Sequence, residues 1–162
     1  KSAAEINISV VNINELTEII LKRLRPIARK NNVEVTLISK REILAEVDEV
    51  KMSLILTNLV ENAIKYNQEQ GKVEVTLDAD HQFFTVQVSD TGIGIPEESL
   101  NQIYERFYRV DKSHSREIGG TGLGLAITKN AVLLHRGSIK ADSVVGEGTT
   151  FIVKIPLSRV LV

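Results

Sequence analysis

Eight of the ten glycines fall in three short segments of the chain, residues 89–96, 119–125 and 146–151. The second segment reads GGTGLGL and leads directly into a predicted helix. Unpaired amides at a helix start can bind phosphate, and glycines expose them. No Gly-Lys-Ser/Thr follows, so this is not a Walker loop. A phosphate cradle and a flexible hinge both remain open for this segment.

The first glycine segment places an acid at the end of a predicted strand. It reads SDTGIGIP, and its acid is Asp90. A carboxylate at a strand end can accept a hydrogen bond from the amino group of a ligand, and the glycines let another surface approach the backbone closely. The competing interpretation is a turn in which Asp90 bonds its own backbone. The third segment is most simply a hairpin loop.

One predicted helix carries polar side chains beside its apolar face. Asn58, Asn62 and Lys65 lie on one stripe, and Tyr66 lies at the boundary between stripe and core. Asn oxygens suit Mg²⁺ when water and phosphate oxygens complete its shell, and Lys supplies positive charge. A solvated face without a ligand is the alternative. The core face of the same helix is formed by Met52, Leu56, Leu59, Val60, Ala63 and Ile64.

Residues 89–121 have little periodicity, and an irregular segment of that length is typically a lid or a binding loop. Cations in such a loop suit a transferred phosphoryl group, and Phe107 can anchor the loop on the body. Surface charges with one apolar anchor are the alternative. The side chains concerned are Arg106, Phe107, Tyr108, Arg109, Lys112 and Arg116.

The elements that must position these residues alternate between strands and helices. Three helices are predicted, from an Asn12 cap to about Lys30, from an Asp48 cap to about Tyr66, and from about Gly122 to Arg136 with Gly137 as the C′ residue. Ile6, Ile8 and Val10 alternate with polar residues as in a half-buried strand. Further strands are predicted near residues 33–37, 43–47, 73–77, 83–88, 139–141 and 150–155. We expect an α+β fold with helices packed on a mixed sheet.

Length and composition narrow the function classes. The 162 residues predict one domain, and 43% apolar residues suffice for its core. A net charge of −1 provides no global field for nucleic acid or an anionic membrane. The absence of Cys excludes disulfides, thiolate metal sites and a cysteine nucleophile. No apolar run is long enough to span a bilayer. Because the chain begins at Lys1, we expect a piece of a longer protein.

The order and spacing of these pieces resemble the catalytic ATP-binding domain of sensor histidine kinases. Residues 58–66, 90–94, 105–109 and 120–125 are similar to the N, G1, F and G2 boxes of that family, and residues 148–149 to its final Gly-Thr. The match covers essentially the whole chain. It implies the Bergerat fold, a two-layer α/β sandwich in which a mixed, mostly antiparallel sheet packs on three helices beside a mobile ATP lid.

The resemblance implies a site for ATP and Mg²⁺. Asn62 would coordinate the metal, Asn58 would support the metal and phosphate end, and Lys65 would contact phosphate. Tyr66 would pack near the adenine, and Asp90 would accept a hydrogen bond from the adenine amino group. Asn62, Lys65 and Arg109 would be the catalytic residues, and Arg109 would stabilise the γ-phosphate. The other implied nucleotide contacts are Gly92, Gly94, Ile95, Tyr108, Lys112, Arg116, Gly120, Thr121, Gly122, Leu123, Gly124, Leu125 and Thr149.

The resemblance also implies domain limits and partners. Residues 1–12 would end a linker and form the first strand, 13–158 would be the catalytic domain with its lid at about 95–121, and 159–162 would be a tail. The implied partners are the histidine-containing dimerisation domain of the parent chain and a response regulator, without nucleic acid or direct membrane contact. We expect a monomeric fragment, cytoplasmic and belonging to a membrane-anchored kinase.

Two other functions stay open. One is a nucleotide-sensing or scaffolding module that binds ATP without transfer. The other is a hydrolytic ATPase, because ATP-hydrolysing relatives of the kinases use a Glu four residues before the metal Asn to orient water. Here that position is Asn58, and Glu61 lies about 60° from it around the helix, which makes it a poor replacement.

Overall fold

Residues 5–105 and 124–158 are described by the computed structural model of the chain. These two ranges contain three α-helices, α1 (Ile13–Lys30), α2 (Glu49–Lys65) and α3 (Gly124–Leu134), and a short 3₁₀ turn at Glu97–Ser99. They also contain seven strands, β1 (Ser9–Asn12), β2 (Glu34–Ser39), β3 (Leu44–Val47), β4 (Lys72–Ala79), β5 (Phe83–Asp90), β6 (Ser138–Val144) and β7 (Gly148–Pro156).

The first two helices begin at the side-chain caps that the sequence predicts. The Asn12 side-chain oxygen accepts the N–H of Glu15 at 3.0 Å, and the Asp48 carboxylate accepts the N–H of Lys51 at 3.0 Å. Each bond satisfies a donor that the helix itself leaves unpaired. The cap at Asp48 fixes where α2 begins and therefore which way its polar stripe faces.

The end of α3 differs by one residue from the prediction. The left-handed residue is Arg136 (φ 61°), and the N–H of Gly137 reaches back to the Val132 carbonyl at 3.0 Å. Arg136 is therefore the C′ residue of a Schellman motif, and Gly137 follows it. Glycine is needed at position 137 because a Cβ on that residue would lie 2.5 Å from the Lys154 carbonyl oxygen of β7.

Five strands form the main sheet, in the order β2-β4-β5-β7-β6. The β2–β4 pair is parallel, and the other pairs are antiparallel. The sheet is thus mixed and mostly antiparallel, with the three helices packed on it, which confirms the predicted fold class. All six residues of the predicted core face of α2 are buried, as is Phe84 of β5. In the described part, none of the helices is both long and apolar enough to cross a bilayer.

A separate two-stranded sheet of β1 and β3 corrects the predicted burial of the first strand. Ile8 and Val10 are exposed, whereas Val11 is buried. The cause is the pairing with β3, which places Val11 opposite Ala45 on the inner face. Alternation along one strand does not show which of its faces the partner strand will turn inward.

Tyr104 follows the 3₁₀ turn and carries a buried hydroxyl that has no hydrogen-bond partner in the described ranges. Burial raises the pKa of this phenol to about 12. The ring packs against the core, and Lys129 Nζ lies 4.9 Å from its centroid. An unpaired buried donor costs about 1–3 kcal/mol, so the hydroxyl weakens the fold here.

Tyr104→Phe is therefore expected to raise the free energy of unfolding by about 1 kcal/mol, because it removes the unpaired hydroxyl and keeps the ring under Lys129. Urea denaturation of the two proteins measures the difference. Tyr104→Leu serves as the control, since it also removes the ring and should lower the unfolding free energy. A phenylalanine variant less stable than the parent contradicts the prediction.

Candidate functional site

The polar stripe of α2 meets the start of α3 through Asn58. Its side-chain nitrogen donates to the Gly124 carbonyl at 3.3 Å and to the Thr128 hydroxyl at 3.2 Å. Thr128 donates in turn to the Gly124 carbonyl at 2.7 Å. The Asn58 side chain thus joins α2 to the residues where α3 begins, while no partner for its oxygen is found among the described residues.

Thr128, which the sequence did not single out, holds the Asn58 side chain against the start of α3. It is fully buried, and it lies four residues after Gly124 on α3. A polar residue on the inner face of a short apolar helix was the available signal, since a buried hydroxyl needs a partner.

Asn62 lies one turn after Asn58 and is half-buried. Within the described residues its side chain makes no hydrogen bond, so both its oxygen and its nitrogen are available. Lys65 Nζ lies 3.9 Å from Glu61 Oε2. That pair spans i to i+4 and is partly solvated, so it is weak and leaves the ammonium able to turn towards an anion.

Asp90 ends β5 with its two carboxylate oxygens in different situations. Oδ1 accepts the N–H of Gly92 at 2.9 Å and the N–H of Thr149 at 3.2 Å. No partner for Oδ2 is found in the described part of the chain. The turn interpretation is therefore correct for one oxygen and leaves the other open. Burial raises the pKa of this carboxyl, and the two N–H bonds offset only part of the effect.

The glycines after Asp90 allow close contacts within the protein. A Cβ on Gly92 would come within 2.5 Å of the Tyr66 carbonyl oxygen, and that carbonyl accepts the N–H of Ile93 at 3.2 Å. Gly94 has φ 78°, and a Cβ there would strike the Val144 carbonyl. The loop after Asp90 is consequently packed between the C-terminal end of α2 and the β6–β7 hairpin.

The third glycine segment forms the predicted hairpin, between β6 and β7. It also closes on the candidate site. Gly148 has φ 133°, and its backbone lies so near the Asp90 carbonyl that a Cβ would collide with it. Thr149, which is buried, then presents its N–H to the Asp90 carboxylate. The hairpin interpretation and the implied role of Thr149 at the Asp90 end are thus compatible.

His135 directly follows α3 and is buried. Its Nε2 accepts the N–H of Asp48 at 3.0 Å, and its Nδ1 lies 2.8 Å from the Ala131 carbonyl oxygen. An Nε2 that accepts carries no proton, so the ring is neutral with its proton on Nδ1. The ring joins the end of α3 to the start of α2, and its burial hides it from any phosphoryl donor.

Some of the remaining sequence-predicted residues lie within the described ranges, and the others lie outside them. Ile95 and Leu125 are half-buried against the core, and Gly124 begins α3. No group of three His, Cys, Asp or Glu side chains that could hold a metal occurs in residues 5–105 and 124–158. A cation at Asn62 would therefore need oxygens from a ligand and water, as Mg²⁺ often does. Outside the described residues lie Arg106, Phe107, Tyr108, Arg109, Lys112, Arg116, Gly120, Thr121, Gly122 and Leu123.

The sequence matches, over residues 47–159, the family described as histidine kinase-, DNA gyrase B-, and HSP90-like ATPase. It is 43% identical over 118 residues to sensor histidine kinase WalK of Bacillus subtilis strain 168, covering 72% of this chain and 19% of that protein. It is 39% identical over 154 residues to sensor protein kinase WalK of Staphylococcus epidermidis, covering 94% of this chain and 25% of that one. The chain thus spans a quarter or less of these relatives.

Solved structures show the same likeness. The nucleotide-free catalytic domain of histidine kinase ThkA superposes with a TM-score of 0.83 at 29% identity, over 94% of this chain and 97% of that one. Full-length ShkA in complex with AMPPNP gives 0.85 at 25% identity, over 99% and 33%. ThkA in complex with response regulator protein TrrA gives 0.79 at 27% identity, over 94% and 42%.

Proposed function

The chain belongs to the histidine kinase-, DNA gyrase B- and HSP90-like ATPase family, as the catalytic ATP-binding domain of a sensor histidine kinase, and we propose that it transfers the γ-phosphoryl group of Mg²⁺·ATP to a histidine on a separate dimerisation domain. The observation that carries the proposal is the alignment of unpaired polar groups along α2. The Asp90 carboxylate bonds to Gly92, which packs against the Tyr66 carbonyl at the helix end, and the open oxygens of Asn62 and Asn58 precede Tyr66 on the helix.

These positions suit one long, polar ligand. From Asn58 to Tyr66 the helix rises about 12 Å, at 1.5 Å per residue. An acceptor for an amino group stands at one end, and amide oxygens with a lysine stand towards the other. A nucleoside triphosphate has the matching order of groups, a base with an exocyclic amine, then a sugar, then phosphates. ATP fits the residues present.

At the end of the site that would hold the base, Asp90 Oδ2 would accept a hydrogen bond from the adenine amino group. Oδ1 would stay bonded to its two N–H donors. This arrangement orients the carboxylate before the ligand arrives, so little is lost in ordering it. Gly92, Gly94, Ile95 and Thr149 would line this end of the site. Tyr66 would border the base from the end of α2.

At the phosphate end, Asn62 would hold Mg²⁺ with the help of Asn58, and Lys65 would bind phosphate oxygens. When bound, Mg²⁺ supplies positive charge that neutralises the triphosphate during transfer. The uncommitted side chain of Asn62 and the weak Glu61–Lys65 pair support these assignments. From the segment outside the described residues we assign nucleotide contacts to Tyr108, Arg109, Lys112, Arg116, Gly120, Thr121, Gly122 and Leu123, joined by Gly124 and Leu125. Among these, Arg109 would stabilise the γ-phosphate, and Gly120, Gly122 and Gly124 would cradle the phosphates.

Phosphoryl transfer is favoured over hydrolysis by the chemistry of position 58. An amide there cannot take a proton from water, and its nitrogen is already bonded to Gly124 and Thr128. The nearest acid on the helix, Glu61, lies about 60° from Asn58 around the helix and does not take its place. With no residue of α2 placed to activate water, we expect bound ATP to keep its phosphate until a stronger nucleophile arrives.

The remaining parts of the reaction come from other domains. We assign residues 13–158 to the catalytic unit, residues 1–12 to its connection and first strand, and 159–162 to a tail. The acceptor histidine would lie on the dimerisation domain, and a response regulator would receive the phosphoryl group. The complex of the similar kinase ThkA with a response regulator supports that partner. We also propose that the parent is anchored in the membrane, with this domain on its cytoplasmic side.

Transfer can be tested by mixing the chain with the histidine-containing helical domain of its parent and labelled ATP. We expect acid-labile phosphohistidine on the helical domain. A helical domain whose acceptor histidine is replaced by glutamine is the control and should stay unlabelled. ATP binding without label on the intact helical domain would contradict transfer and favour the sensing module.

A further inference from the structure

Ser143, near the end of β6, sits at the junction of the two segments that orient Asp90. Its Oγ accepts the N–H of Ile95 at 2.7 Å and donates to the Gly148 carbonyl at 2.9 Å. The Thr149 hydroxyl lies 2.8 Å away, and with the Ser143 proton given to Gly148, it is Thr149 that donates in that pair. One half-buried hydroxyl therefore makes three hydrogen bonds to two segments.

The same two segments supply both N–H donors to the Asp90 carboxylate, which is called the base-reading carboxylate below. The N–H of Gly92 comes from the loop that ends at Ile95, and the N–H of Thr149 comes from the hairpin. Ser143 bonds to the far end of that loop and to Thr149 itself. A shift of the loop away from the hairpin would pull the two donors apart and turn the carboxylate.

We propose that Ser143 is a positioning residue for nucleobase recognition, which holds the Asp90 carboxylate in the orientation that selects adenine. The inference rests on the proposed adenine contact of Asp90. Ser143 acts through the Ile95 and Thr149 bonds and touches no part of the nucleotide. Only the adenine-dependent part of binding should depend on it, because the phosphate end of the site lies on α2 and α3.

The neighbouring strands offer a matched control. Ser89 of β5 lies 2.8 Å from the Thr150 hydroxyl, so it forms the same kind of Ser–Thr pair at the same distance. Neither of these hydroxyls bonds to the loop or to the Asp90 carboxylate in the described residues. Ser89→Ala therefore removes an equivalent pair without removing any bond that orients the base-reading carboxylate.

The test measures the dissociation constants of ATP and GTP by calorimetry. We expect Ser143→Ala to weaken ATP about tenfold, the effect of losing one to two hydrogen bonds, and to lower the ATP-to-GTP preference by the same factor. Ser89→Ala should leave the preference unchanged, and Ser143→Thr, which retains a hydroxyl, should restore most of it. An unaltered preference in a folded Ser143→Ala protein overturns the proposal.

Three further outcomes are decisive. If Ser143→Ala does not fold, Ser143→Cys keeps the volume with a weaker acceptor, and full adenine preference in that variant overturns the proposal. If the unmodified domain binds ATP and GTP equally, the proposed adenine contact of Asp90 fails, and this inference fails with it. An intact preference that persists in every Ser143 variant rejects the role of Ser143 alone.

Discussion

Asp90→Asn is expected to weaken ATP binding by about 10- to 100-fold, the range that corresponds to losing a hydrogen bond to a charged group. The asparagine oxygen can still accept the N–H groups of Gly92 and Thr149. The amide nitrogen then replaces Oδ2, so a donor faces the amino group of adenine. Calorimetric titration with ATP at neutral pH measures the loss.

The same exchange should change which base is preferred. A donor at this position suits the 6-oxo group of guanine, so the ATP-to-GTP preference should fall further than ATP affinity alone. Asp142→Asn provides the control, because Asp142 is an exposed carboxylate on β6 and outside the site. Its removal should leave both affinities unchanged. ATP affinity retained in Asp90→Asn would contradict an adenine contact at this carboxylate.

Asp90→Asn should stabilise the fold even though it weakens ATP binding, because burial raises the pKa of the Asp90 carboxyl. A carboxyl whose pKa is higher in the folded state stabilises the fold below its unfolded pKa, near 4, and this contribution is lost as pH rises through the folded value. At neutral pH the buried charge is therefore a cost, and Asp90→Asn should unfold at higher urea than the parent. At pH 3 the difference should disappear. ATP affinity of the parent should fall as the carboxyl takes up its proton.

Local signals in the sequence predicted most of the elements. A cap such as Asp48 and an apolar arc with the helical period act within a few residues, so α2 begins, ends and faces as expected. The strands β4 and β5 likewise follow their alternation. The resemblance to a known family then added the two-layer sandwich with its mostly antiparallel sheet and the expected roles of residues, which no local pattern contains.

What the sequence could not provide depends on contacts between distant segments. The inner face of β1 is set by its pairing with β3, so the alternation around Val10 was misleading. The sequence allowed Asp90 to be either a turn residue or a ligand contact, and only the approach of Thr149 shows that two N–H groups bond to Oδ1 and leave Oδ2 without a partner in the described residues. The bonds of Ser143 and the burial of His135 arise in the same way.

Asn62→Ala is expected to abolish the Mg²⁺ dependence of ATP binding and to lower phosphoryl transfer to the helical domain by at least about 100-fold, as the loss of one group acting on transition-state charge does. The fold should tolerate it, because the Asn62 side chain makes no hydrogen bond in the described residues. Calorimetry with Mg²⁺ and with a chelator measures the binding difference directly. Asn58→Ala should behave differently, since it also removes the bonds to Gly124 and Thr128 and so lowers the unfolding free energy.

Glu61→Gln is the matched control for Asn62→Ala, because it changes the adjacent residue of α2 and removes a charge from outside the proposed metal site. It should leave transfer intact and free Lys65 from its only ion pair in the described residues. Phosphate release that disappears in Glu61→Gln while transfer to histidine is absent would instead establish the hydrolytic ATPase. If Asn62→Ala keeps both Mg²⁺ dependence and transfer, the metal lies elsewhere. Transfer that depends on Asn62 but not on Glu61 is the pattern expected when α2 supplies a metal ligand and no base for water.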